Sequence, residues 1–139
     1  MKGRVFVGVM FLIGALTPGV VARTGDVVAS GAQSALVNVA GPLKVGSHFL
    51  MGQYLIVHDY DRDARGEPCT TIYEYDSSKG RGEEVVAFMC IPAHRAIAEK
   101  FTLKTRLDWE FSTTAPIARL IEYQFAGDAT AHQVPRHEQ

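Results

Sequence analysis

Apolar runs recur along the chain from position 35 onward, and clusters of Gly, Pro, Asp and Ser separate them. This spacing is typical of antiparallel β-strands joined by turns, whereas helices need longer periodic segments. Seven runs of strand length favour a β-sandwich or a small barrel, so the sequence predicts an all-β fold. The predicted strands are residues 35–39, 43–50, 53–59, 69–76, 84–91, 97–106 and 117–125.

Two windows of the chain fit a helix as well as a strand. Residues 93–100 follow Pro92, and residues 115–123 include Pro116, which could occupy a first helical turn. Because the neighbouring segments alternate as strands do, we favour strand for both windows, with helix as the open alternative.

The N-terminal segment has the three regions of a secretory signal peptide. Lys2 and Arg4 precede an uncharged apolar run, and the small residues Val20 and Ala22 follow it at the spacing that signal peptidase requires. Residues 1–22 are therefore predicted to be removed after Ala22, which places the mature protein in the periplasm or outside the cell. The alternative is an uncleaved anchor, because a bilayer span needs about 20 apolar residues.

The mature chain is predicted to be one domain with two loose ends. Residues 23–33 form a flexible lead, residues 34–127 form the β domain, and residues 128–139 form a polar C-terminal tail. The whole chain carries 14 Lys+Arg against 15 Asp+Glu, a net charge of −1. This near balance gives no electrostatic attraction for nucleic acid, which excludes that class of partner.

The two cysteines lie at matching positions of a predicted hairpin. Cys69 and Cys90 enclose two alternating runs joined by a turn-rich segment, and a register with Asp76 opposite Glu83 places the cysteines opposite each other. In an oxidising compartment we expect a disulfide that stabilises the fold by about 3 kcal/mol. Two buried free thiols, or metal ligation with His94, are the alternatives.

The polar segment 58–68 contains the strongest candidate for a cation site. Alternating carboxylates are typical of calcium loops, but Ala64 and Thr70 stand where an EF-hand needs Gly and Glu. Arg62 and Arg65 can neutralise the acids, so an ion-paired loop is favoured over a weak calcium site. The candidate calcium ligands are Asp59, Asp61, Asp63 and Glu67.

The five histidines are scattered singly, at positions 48, 58, 94, 132 and 137, and each is predicted to be a surface residue. The chain has no nucleophile elbow and no phosphate-binding glycine loop. We therefore assign no catalytic residue and no cofactor other than the calcium candidate. The alternative function is a secreted metal-dependent or hydrolytic enzyme with its site on loops 58–68 and 92–96.

Residues 45–56 resemble a hairpin of small exported bacterial β-proteins of unassigned function, with the pattern Val-Gly-x-x-x-Leu-Pro-Ala-Gly-x-Tyr-x-Ile. This chain has Met51 in place of Pro-Ala, and Gly52 is predicted to form the turn. The resemblance implies an exported β-sandwich-like domain without a known activity. The matching positions are Val45, Gly46, Leu50, Gly52, Tyr54 and Ile56.

These observations together predict a small exported β-domain with a binding or structural role in the cell envelope or outside the cell. Its expected partner is an unidentified ligand or an envelope protein, and after cleavage it has no membrane segment.

Overall fold

The computed structural model describes residues 31–109 and 114–136. The predicted signal peptide, most of the predicted lead and His137 lie outside the described residues. Within them 64% of residues are in strands and 5% in a helix, which confirms the all-β prediction. The described residues contain no helix with the length and hydrophobicity that a bilayer crossing requires.

Eight strands and one short helix make up the described part of the chain. In chain order they are β1 (Ala32–Val45), β2 (His48–Asp59), α1 (Tyr60–Ala64), β3 (Thr70–Asp76), β4 (Gly80–Phe88), β5 (Ile91–His94), β6 (Thr102–Asp108), β7 (Ile117–Gln124) and β8 (Thr130–Gln133).

The strands form one mixed sheet in the order β4-β3-β2-β1-β7-β8-β5, and β6 pairs with β7 beside this path. Strands β1 and β7 are parallel, and the other pairs are antiparallel. The buried apolar residues form one core cluster: Val37, Val39, Leu43, Val45, Leu50, Ile56, Ile72, Val86, Phe88, Leu120, Tyr123 and Phe125.

The two ends of the sheet order approach each other at one corner. Strand β4 ends at Phe88 and β5 begins at Ile91, so only Met89 and Cys90 connect them. Three residue steps of extended chain span at most about 11 Å. Strand β6 pairs along one edge of β7, so β1 and β8 share the other edge, and β5 therefore lies on the same side of β7 as β4.

The β1–β2 hairpin turns at Gly46 and Ser47, between the paired residues Val45 and His48. Gly46 has a φ of 58°, in the left-handed region that favours glycine. The predicted turn at Gly52 is therefore wrong. Gly52 lies within β2, where the β1–β2 register shifts, and its φ of 108° fits this irregular pairing.

The β3–β4 hairpin has a tighter turn than the sequence predicts, and this difference changes the register at the two cysteines. Asp76 pairs with Gly80 instead of Glu83, and Thr70 instead of Thr71 lies opposite Phe88. Cys69 and Cys90 no longer fall on directly opposing positions, although their sulfur atoms stay within 4.8 Å of each other. Both are free, buried thiols, and no disulfide between them is at bonding distance.

Regular structure extends into the C-terminal segment 128–139, which the sequence predicts as a polar tail. Strand β8 lies there because β7 and β5 pair with its two edges. The window 115–123 belongs mainly to β7, as favoured, whereas 93–100 contains only the end of β5 and then irregular chain. Pro92 fits β5 because that strand ends the sheet order.

Candidate metal centre

Three potential metal ligands from distant parts of the sequence meet beside the β4–β5 connection. His58 lies near the end of β2, Cys90 in the β4–β5 connection, and His132 in β8. One ligand atom from each residue lies within 4.8 Å of the other two. The residues are only 0%, 8% and 2% exposed, in that order. We call this set the inner triad.

The strand pairing explains how these three side chains meet. His58 pairs with Thr70, and Thr70 pairs with Phe88 at the end of β4, two residues before the cysteine. On the other side of the connection, His132 pairs with Pro92. The connection between β4 and β5 therefore carries its thiol between a histidine of β2 and a histidine of β8.

The distances within the inner triad suit a single small ion. The Cys90 Sγ lies 3.7 Å from Nδ1 of His58 and 3.7 Å from Nδ1 of His132. A zinc ion with ordinary bond lengths and tetrahedral angles separates its sulfur and nitrogen ligands by about 3.5 Å. Both sulfur–nitrogen distances therefore lie within a few tenths of an ångström of those around a bound zinc ion.

Aromatic rings surround the two imidazoles. The His58 and His132 rings lie 4.0 Å apart, Tyr60 contacts His58 edge-on at 4.5 Å, and Tyr123 stacks on His132 at 5.0 Å. The Tyr60 hydroxyl donates a 2.7 Å hydrogen bond to Gln33 Oε1, which fixes that ring over the site. These rings make an apolar wall that strengthens electrostatic and coordinate bonds inside it.

Burial sets the protonation states of the inner triad. It lowers the pKa of His58 to about 4, with a further contribution from neighbouring His132, and it also lowers the pKa of His132. Burial, followed by the hydrogen bond with Cys69, raises the pKa of Cys90 to about 12. Both imidazoles are therefore neutral near pH 7 and keep a lone pair, while an arriving ion must displace the thiol proton.

Two nitrogen atoms at this site have unsatisfied hydrogen-bonding capacity. The Nε2 atoms of His58 and His132 are buried without a hydrogen-bond partner among the described residues. A buried polar group without a partner costs about 1–3 kcal/mol. Apolar side chains at these two positions would avoid that cost.

Two hydroxyl groups contact the same His58 nitrogen that faces the Cys90 sulfur. The Tyr123 hydroxyl lies 3.3 Å from His58 Nδ1, and Thr70 Oγ1 lies 3.5 Å from the same atom. The two hydroxyls also share a hydrogen bond with each other. An ion bound to His58 Nδ1 would therefore replace these two contacts, and the hydroxyls would keep the hydrogen bond between themselves.

The predicted calcium ligands have other roles in the structure, and the calcium site itself stays a prediction. Asp59 caps α1 by accepting hydrogen bonds from the backbone N–H groups of Asp61 and Arg62, at 2.9 and 3.0 Å. Glu67 forms ion pairs with both arginines of the loop. Of the four carboxylates, only Asp63 joins a group of possible metal ligands among the described residues.

The sequence analysis missed both histidines of the inner triad. His132 was assigned to a tail, and His58 to the surface, although the apolar run before His58 was a usable sign of burial. His94, the histidine considered with Cys90, is exposed and belongs to neither group of possible ligands in the described residues. Loop 92–96 therefore follows Cys90 closely in the chain, but its histidine, His94, is not part of the site.

Comparison of the chain with protein-family models, with curated proteins and with solved structures finds no match in any of the three.

Proposed function

We propose that the protein is a small exported binding domain that holds one transition-metal ion at the inner triad. The observation that carries this proposal is the position of the Cys90 Sγ, 3.7 Å from Nδ1 of both His58 and His132, in a buried site. These three atoms come from separate strands and connections, so the fold itself brings them together.

The chemistry of the ligands selects the class of ion. Imidazole suits zinc, copper, iron and nickel, and a thiolate narrows the choice to the softer ions, zinc and copper above all. Calcium and magnesium require oxygen ligands, which the inner triad does not supply. With three protein ligands, the ion keeps one coordination position for a further ligand.

The competing explanation is that these side chains only fill the interior. Packing alone does not account for two adjacent histidines whose Nε2 atoms lack partners, because apolar side chains of similar size would avoid that cost. Metal binding gives these residue types a role through their Nδ1 and Sγ atoms, which offsets the cost of the two Nε2 atoms.

Export belongs to the same proposal. Residues 1–22 have the charged, apolar and small-residue regions of a signal peptide. Outside the cytosol, ligation to a metal is one way for a cysteine to avoid oxidation. Intact-mass measurement of protein from the cell envelope or the medium tests this part, and a species that still carries residues 1–22 would contradict it.

Metal titration of the purified full chain tests the binding proposal directly. Under reducing, oxygen-free conditions, added Co²⁺ is expected to bind at one equivalent and to produce the thiolate-to-cobalt absorption that only a bound cysteine gives. Zn²⁺ should then displace the cobalt. Wild-type protein that binds neither ion at micromolar concentration would overturn the proposal without any variant.

Matched variants locate the ion. His132→Gln should weaken Co²⁺ binding at least 100-fold, and Cys90→Ser should abolish the thiolate band. His94 is exposed and lies two residues after Pro92, which pairs with His132. His94→Gln therefore changes the same residue type outside the site and serves as the control. Equal loss of binding in His94→Gln and His132→Gln would place the ion elsewhere. Circular dichroism of each variant verifies its fold.

A further inference from the structure

A second group of possible metal ligands overlaps the inner triad. One ligand atom each from Asp63, Cys69 and Cys90 lies within 4.8 Å of the other two. Asp63 belongs to α1, Cys69 precedes β3, and Cys90 is common to both groups. We call Asp63, Cys69 and Cys90 the outer triad.

The two triads differ in their access to solvent. Every residue of the inner triad is buried, whereas the outer triad contains the exposed carboxylate of Asp63 beside two buried thiols. Tyr60 packs against the His58 ring and is fixed by its hydrogen bond to Gln33. An ion therefore needs a route to the inner triad, and Asp63 is the member of either triad that solvent reaches.

The charged residues in and after helix α1 leave the Asp63 carboxylate able to attract a cation. Arg65 donates two hydrogen bonds to Glu67, at 3.0 and 3.1 Å, and Arg62 lies 3.7 Å from the same carboxylate. The two positive charges of the loop are thus paired with Glu67. Asp63 instead lies within reach of the two cysteine sulfurs.

We propose that the outer triad is an entry site, at which a zinc- or copper-class ion binds first and from which the shared Cys90 sulfur passes it to the inner triad. The inference rests on the proposed function, because it assumes that the inner triad holds the ion. The two groups of ligands share one atom, so the ion can change partners without ever being released.

The transfer balances without any change of oxidation state. On entry, the thiols of Cys69 and Cys90 each lose a proton to solvent, and the ion bonds to both sulfurs and to a carboxylate oxygen of Asp63. The ion then keeps its bond to Cys90, breaks the bonds to Cys69 and Asp63, and forms bonds to one nitrogen of each histidine. The Cys69 thiolate regains a proton, so one proton is released per ion bound.

Stopped-flow uptake of Co²⁺ by the full chain tests this route, with the thiolate-to-cobalt absorption as the signal. Asp63→Asn and Cys69→Ser should each lower the association rate constant at least tenfold. The dissociation rate constant should fall in the same proportion, because the ion leaves by the route it enters. Asp61→Asn, at an exposed carboxylate of the same helix, is the matched control and should take up the ion at the wild-type rate.

Each outcome of this experiment separates the two proposals. Wild-type uptake rates in both Asp63→Asn and Cys69→Ser would refute the entry site and leave the inner triad as the binding site. Loss of equilibrium binding in Cys69→Ser would also refute it, because Cys69 would then be a permanent ligand. Wild-type protein that binds no Co²⁺ would overturn the proposed function itself. Thermal melting without metal verifies that the variants fold.

Discussion

The Cys90 Sγ lies 3.7 Å from Nδ1 of His132, although 42 positions separate the two residues in the chain. Strand pairing produces this contact, because β5 follows Cys90 directly and pairs with β8, which contains His132. The proximity is therefore a property of the fold and does not depend on flexible loops.

Binding of a metal ion should stabilise the folded domain. A ligand at a concentration 100-fold above its dissociation constant adds about 2.7 kcal/mol to the free energy of unfolding. For a domain of this size we expect the melting temperature to rise by about 10 °C when Zn²⁺ is added at that excess. Scanning calorimetry under reducing conditions measures the shift. Cys90→Ser should melt at the same temperature with and without Zn²⁺.

Removing the base of the Arg95–Glu122 ion pair should lower the free energy of unfolding more than neutralising its acid does. Arg95 donates from Nε and Nη2 to the two Glu122 oxygens, at 3.1 and 2.6 Å. The Glu122 side chain is only 10% exposed, whereas that of Arg95 is 38% exposed. Arg95→Met removes the ion-pair partner of a buried carboxylate and should cost about 2 kcal/mol, whereas Glu122→Gln should cost about 1 kcal/mol.

Urea unfolding of both Arg95→Met and Glu122→Gln at neutral pH measures these free energies. Equal losses in the two variants would show that burial of the carboxylate does not decide the energy of this pair.

Asp108 should make the stability of the domain pH-dependent in acid. Hydrogen bonds, first from Arg106 and then from Arg119, lower the pKa of Asp108 from 3.8 to about 2. A carboxylate with a lowered folded-state pKa stabilises the fold above its unfolded-state pKa, and this contribution is lost as the pH falls through the folded-state value. The stability difference between wild type and Asp108→Asn should therefore shrink between pH 4 and pH 2.

Urea midpoints measured at several pH values between 2 and 7 test this behaviour. Glu99→Gln, at an exposed acid in the segment before β6, is the control and should give a smaller difference across the series. A difference between wild type and Asp108→Asn that stays constant down to pH 2 would contradict the assignment.

The hydroxyl of Tyr123 should stabilise the fold because its partner is fully buried. Tyr123 is 1% exposed and Thr70 is 0% exposed, and their hydroxyls are hydrogen-bonded. Tyr123→Phe should cost about 1–2 kcal/mol of unfolding free energy, since Thr70 loses its closest partner. Tyr54→Phe removes an exposed hydroxyl that bonds to the Met51 backbone, and should cost less than about 0.5 kcal/mol. Urea unfolding compares the two.

The long alternating strands could be predicted from the sequence, and the short ones could not. The alternation of apolar residues identified the segments that form most of β1, β2, β3, β4 and β7. Strands β5 and β8 have four residues each and little hydrophobic alternation. They exist because neighbouring strands offer unpaired edges, which is information that a local pattern does not contain.

The candidate site was unpredictable for a related reason. The register of the β3–β4 hairpin places Cys90 beside Cys69 and within reach of two histidines, and irregular pairing near the turn sets that register. The start of helix α1 could be recognised in the sequence, because Asp59 is a favourable N-cap residue. The position of His132 could not be recognised in this way, since it depends on the pairing of β8 with β7 and β5.

The short connection between β4 and β5 also constrains the order of events in folding. These strands are neighbours in the chain but occupy opposite ends of the sheet order, so β5 finds its partner only after β8, some 40 positions later, has docked. We therefore expect the metal ligands to meet late in folding, after the transition state. An ion bound there should lower the unfolding rate constant and leave the folding rate constant almost unchanged. It would therefore stabilise the folded domain kinetically without helping it to form.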